Sequence, residues 1–299
     1  KFREVISLEG EREDEARFRL ARTLVAAEQY SEAAEALQIA QGQEGSSDTW
    51  TARMRLVQGE LSVRQGEWKE AEQALTQGLE GSLPDEAGAR AAFLLGQVRE
   101  ALGNRDGAMA AYRQVLDYDP RYQLAFAARL AAIKMQGQTG EPGRALDRLE
   151  ALEREDNTPR MRGEIARVRA RLYREQGRTE EATEALTNVL RGDETPSGTV
   201  AGRIHYDLAV LYRDTYEDFG KAAAHFDTAA TALPSRSDQR RSDAESGPQM
   251  LPGTPTDAAT QAERFQGLAD HARAVARRDS LLRLGRMPPS AFREAVEQI

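Results

Sequence analysis

Cysteine is absent from the 299 residues, which excludes disulfides, thiolate zinc sites, iron–sulfur clusters and cysteine nucleophiles. Histidine is scarce, with only His205, His225 and His271. Aromatic residues make up 6%, and lysine is limited to Lys1, Lys69, Lys134 and Lys221, leaving 37 of the 41 basic residues as arginine. No apolar run approaches the ~18–20 residues that a membrane-spanning helix needs. A basic excess, the usual mark of phosphate-backbone binding, is missing too: 49 acidic residues give a net charge of −8. The apolar share leans on alanine, leucine and valine, small or straight side chains that suit closely packed helices more than strands. An acidic, nearly all-helical chain is expected. It begins at Lys1 without an initiator methionine and reads as a trimmed piece.

Six segments share one pattern of alanine followed four residues later by a larger apolar residue. The alanines are Ala33, Ala71, Ala108, Ala145, Ala182 and Ala222, spaced by 38, 37, 37, 37 and 40. Their partners are Leu37, Leu75, Tyr112, Leu149, Leu186 and Phe226. Positions i and i+4 share one helical face, so each pair marks one side of a helix seated against a neighbour. The clearest unit, AAFLLGQVREALGNRDGAMAAYRQVLDYDP, runs from Ala91 to Pro120. In it, Gly96 permits a close helix approach and Gly103 ends the first helix.

This pattern resembles the tetratricopeptide repeat, a helix–turn–helix of ~34 residues. Gly59, Gly96 and Ala170 match its small residue at position 8, the six alanines its position 20, and Pro120 and Pro234 its position 32. The resemblance spans residues 2–234 and implies an all-α fold, a right-handed superhelix of stacked hairpins. One hairpin alone cannot bury its apolar face, so each unit needs the next. The residues beyond 34 per unit fall mainly between units and are expected to project as loops along one edge. The fourth repeat carries about three of them around Gln138-Thr139-Gly140 by the same register argument.

The ends add two expectations. Phe2, Val5 and Leu8 read as the second helix of an earlier, partial repeat, and Pro288-Pro289-Ser290 as the start of a helix cut at Ile299. Residues 235–257 are polar and hold three prolines, too little apolar surface to offset ordering, and read as a flexible linker. Beyond it, Phe265, Leu268, Ala272 and Val275 recur at helical spacing, so residues 258–299 are expected to form capping helices over the last repeat. The last repeat, a polar gap and the segment RRDSLLRLGRMPPSAFREAV together resemble the SprE and PorW lipoproteins of type IX secretion and gliding motility. That narrower resemblance implies a periplasmic, outer-membrane-associated setting with a lipid anchor upstream of Lys1. The alternative is cytoplasmic.

Catalytic constellations are scarce. No HExxH, GxSxG or Walker-type segment is present, and His205 with Asp207, like His225 with Asp227, is spaced i, i+2 and cannot share a helical face. Gly137, Gly140 and Gly143 lack a following Lys-Ser/Thr and read as an inter-helix turn. No catalysis, metal or cofactor is expected. What is left is the concave surface of the solenoid. The resemblance implies that positions 2, 5, 9, 12 and 13 of each first helix line it, and these thirty residues hold ten cations and six anions. The candidate partner-binding residues are Arg53, Arg64, Arg90, Phe93, Arg167, Arg171, Arg174, Arg203, Tyr206 and Arg213. Arg167, Arg171 and Arg174 form an i, i+4, i+7 stripe independently of the repeat register. Guanidinium rows beside aromatic rings suit an acidic or C-terminal peptide; the competing reading is pairing with acids on neighbouring helices. Nucleic acid is not expected as a partner, because stacking aromatics are too few. The chain is therefore expected to be a protein–protein interaction scaffold. The alternative is the substrate-recruiting arm of an enzyme whose catalytic domain lies elsewhere.

Overall fold

The computed structural model describes residues 13–41, 47–155, 158–192, 195–196, 198–233 and 257–285. Thirteen α-helices and no strand occur among the described residues. Twelve form six antiparallel hairpins: α1 Glu13–Ala26 with α2 Tyr30–Gln41, α3 Asp48–Gln65 with α4 Trp68–Leu79, and α5 Asp85–Ala101 with α6 Arg105–Gln114. The chain continues through α7 Tyr122–Gln138 with α8 Pro142–Glu155, α9 Pro159–Glu175 with α10 Thr179–Arg191, and α11 Gly198–Asp214 with α12 Phe219–Ala232. A last helix, α13 Ala258–Gly285, packs on α12. The result is the expected right-handed solenoid with a C-terminal cap. The partial repeat at residues 1–10, most of the linker, Pro234 and the Pro288 helix lie outside the described residues.

All six aligned alanines are 0% exposed, and Tyr112, the most exposed of their six partners, is only 2% exposed. The contact that needs a small residue is direct: a Cβ on Gly96 would stand 2.5 Å from the Tyr112 ring, and one on Gly59 2.6 Å from Leu75. Each hairpin turns through one residue of positive φ at the same repeat position, Glu28, Gly66, Gly103, Gly140, Gly177 and Glu217. Four of the six are glycine, the residue that enters the left-handed region without a Cβ penalty.

That register corrects the reading of the fourth repeat. Gly140 stands 37 residues from both Gly103 and Gly177, so α7 carries no insertion. Its groove positions shift by three, which sends Met135 into the core at 0% exposure and lines Lys134 up with Gln97 and Arg171. The surplus per repeat is likewise not all loop. It lengthens the first helices, which run 17–18 residues in α3, α5, α7, α9 and α11; the acidic first turns of α3 and α5 and Pro159 at the start of α9 favour an early helix start.

The cap also differs in detail. Ala258, Ala262, Phe265 and Ala269 are the buried stripe of α13, while Leu268 is 44% exposed. Phe265 stacks on Phe226 and Phe219 with centroids 5.8 and 6.0 Å away. The cap thus closes the apolar face that α12 would otherwise present to water.

Candidate functional site

The first helices α1, α3, α5, α7, α9 and α11, which carry the expected groove positions, run side by side, each touching the next. Their polar side chains divide into those consumed within the fold and those left open.

On α9, Arg167 donates from Nε to Asp207 on α11 at 2.6 Å and from its terminal nitrogen to Glu164 at 3.2 Å. Arg203 on α11 donates to the other Glu164 oxygen at 3.1 Å. Arg167 keeps 15% side-chain exposure. Burial pulls its pKa down, and Asp207 and Glu164 more than offset that, so the net shift is upward. Between α5 and α7, Lys134 reaches Glu100 at 2.6 Å, and the Tyr112 hydroxyl donates to the same carboxylate at 3.1 Å. Burial lowers the Lys134 pKa while Glu100 pulls it back up.

Five expected contact residues therefore face inward or are already engaged. Phe93 is 5% exposed and packs on Tyr112 with centroids 5.2 Å apart, a core residue. Arg167 and Arg203 belong to the α9–α11 network. Tyr206 donates to Asp257 at the start of α13 at 2.8 Å, and its ring meets Phe226 edge-on. Arg213 pairs with Asp214 at 2.5 Å and lies over Phe226 and Phe265. Tyr206 and Arg213 thus hold the cap.

The open residues are Arg53, Arg64, Arg90, Arg171 and Arg174. Arg53 is stacked over Trp50 at 4.6 Å and Phe18 at 5.8 Å, which orients the guanidinium without neutralising it. Among the described residues Arg90 meets only the exposed Glu86 of its own helix, at 2.9 Å. Arg64, Arg171 and Arg174 have no carboxylate within ion-pair distance among the described residues. A charge can be held near another's field without pairing: Arg174 helps lower the Asp214 pKa, whose main cause is the Arg213 hydrogen bond.

One cluster was not legible in the sequence. His205 on α11 and His225 on α12 meet Nδ1 to Nδ1 at 2.9 Å, and Tyr212 stacks on His225 with 6° between planes. Burial lowers both pKa values, and His205 and Lys221 push His225 further, down to about 4. Such a hydrogen bond needs one neutral ring as acceptor. The folded state binds these protons less readily than the unfolded chain, so the stabilisation is full above about pH 6.5 and is lost as pH falls toward 4. The thermal midpoint is expected to drop between pH 7 and 4.5, and to drop less in His205→Gln/His225→Gln; equal slopes by calorimetry would refute the assignment. Among the described residues no three potential metal ligands gather, and no helix is long and apolar enough to cross a membrane.

Two stretches, residues 56–123 and 167–237, match the tetratricopeptide repeat family. Among solved structures, a tetratricopeptide repeat protein from Parabacteroides merdae is similar over 82% of this chain and 88% of its own, with 16% identity and a TM-score of 0.56. PilW, a type IV pilus biogenesis factor, is similar over 74% and 94%, with 15% identity and a TM-score of 0.51. NprR in complex with its cognate peptide NprX is similar over 87% and 72%, with 12% identity and a TM-score of 0.51. No curated protein matches the chain. Fold and matched stretches together define a solenoid of helical hairpins. Its fold is that of tetratricopeptide-repeat solenoids, which the two matched stretches resemble in sequence as well.

Proposed function

We propose that this solenoid is a non-enzymatic scaffold that holds an acidic segment of a protein partner on its concave face. The observation that carries this is the split within one arginine stripe. Arg167 is saturated by Asp207 and Glu164, whereas Arg171 and Arg174, one and two turns on, have no acid within ion-pair distance among the described residues. Guanidiniums left without a counter-charge on a concave wall fit an incoming carboxylate, which they can bind in two-point fashion. Peptide capture by a fold of this kind has a precedent in NprR, solved with the peptide NprX. A periplasmic secretion or gliding setting rests on the sequence resemblance of residues 211–296 alone and is a proposal about location only.

The test is reversal of the two open arginines. Arg171→Glu/Arg174→Glu is expected to weaken salt-sensitive binding of a labelled ten-residue aspartate peptide by on the order of tenfold or more, with the helical circular-dichroism signal unchanged. Undiminished binding by the double variant would sink the proposal.

A further inference from the structure

The central row of the groove, one residue from each of the first five repeats, reads Arg22, Glu60, Gln97, Lys134 and Arg171. Glu60 is the one acid in it. It is 9% exposed, and its Oε1 is buried without a hydrogen-bond partner. A buried polar atom left unsatisfied is uncommon enough to need an explanation. The charges that bear on Glu60 are Arg64 on its own helix and Arg22 from α1; α4 and α5 bring none. Neither arginine forms an ion pair with it.

We infer that Glu60, flanked by Arg22 and Arg64, is the specificity residue of the groove: as a neutral acid it donates a hydrogen bond to a partner carboxylate, so that capture takes up one proton. This rests on the acidic-partner reading above. The sign of the local charge supports it. With Glu60 ionised, the trio carries one net positive charge and sets a second carboxylate against an incoming one. With Glu60 protonated, the trio carries two positive charges and offers an O–H between two guanidiniums. A partner ammonium would meet both arginines and be repelled. Burial pushes the Glu60 pKa up to about 7, against the pull of Arg64 and then Arg22, so the required proton is within reach near neutral pH. A bound anion raises it further, by adding negative charge next to the carboxyl.

The experiment measures binding of the same ten-residue aspartate peptide by fluorescence anisotropy from pH 6.0 to 8.5, with calorimetry in two buffers of different ionisation enthalpy. Wild-type affinity is expected to rise on acidification, approaching about tenfold per pH unit above the midpoint for one linked proton, and calorimetry should report close to one proton taken up at pH 8. Glu60→Gln, which keeps shape and an N–H donor, should bind with the low-pH affinity throughout and without proton uptake. If wild type binds with no pH dependence, or Glu60→Gln keeps the wild-type slope, the inference about Glu60 is overturned while the groove reading stands. If the peptide binds at no pH, both are overturned.

Discussion

Tyr112→Ala is expected to destabilise the protein by about 3–5 kcal/mol, the cost of deleting a fully buried aromatic ring. The ring is 2% exposed, rests on the bare Cα of Gly96 and packs against Phe93. Its hydroxyl also pins Glu100, which in turn holds Lys134 of the next repeat. One side chain therefore serves the hairpin α5–α6 and the α5–α7 junction together. Tyr112→Phe separates the two roles. Keeping the ring and losing the hydroxyl should cost only about 1 kcal/mol, because Glu100 retains its lysine. Urea unfolding followed by circular dichroism reads both values. A Tyr112→Ala loss no larger than that of Tyr112→Phe would show that the ring is not a core element. Because a repeat protein couples only nearest neighbours, a break in the third of six units should also lower the cooperativity of the transition.

Arg167→Ala is expected to cost about 3 kcal/mol, since removing one member of a largely buried ionic network strands the others. Asp207 would lose its 2.6 Å partner, and Glu164 would keep only Arg203. Arg171→Ala, one turn along the same helix, should change stability by no more than about 0.5 kcal/mol, as expected for a half-exposed residue without a partner. A double-mutant cycle with Asp207→Asn isolates the direct pair. A coupling indistinguishable from zero would mean that Arg167 is no structural element and belongs with the open arginines. The contrast bears on function. Reversing Arg167 together with Arg171 and Arg174 would confuse a folding defect with a binding defect, so the functional test leaves Arg167 untouched.

The repeat itself was open to reading because its constraint is local and periodic. An alanine seated in a neighbour's groove and a large side chain one turn on must recur wherever a hairpin recurs, and all six pairs proved buried. Where the reading failed, the failing signal was geometric. No insertion stands near Gly140, because the positive-φ turn, invisible in composition, keeps it in register with Gly103 and Gly177. The cap was foreseen, but its buried stripe was placed one position off at Leu268, since a lone terminal helix has no second copy against which to check its phase.

The site was only half visible. The arginine stripe on α9 follows from helical spacing, yet which of its members are free depends on Asp207, 40 residues away on α11, as well as on Glu164 of the same helix. Tyr206 and Arg213 sit at groove positions by register but are claimed by Asp257 and Phe265, across the 235–257 segment that no repeat rule describes. The His205–His225 pair likewise joins two helices through a turn, and spacing within either helix carries no trace of it.

Amino-acid order alone thus determined the helical class, the hairpin unit and its multiplicity, because burial of small and large side chains at fixed intervals is a property of one helix and its immediate neighbour. Only the tertiary structure decided which charges remain for a partner. A guanidinium's availability is set by the carboxylates that folding brings within a few ångströms, and that distance is a property of packing between repeats.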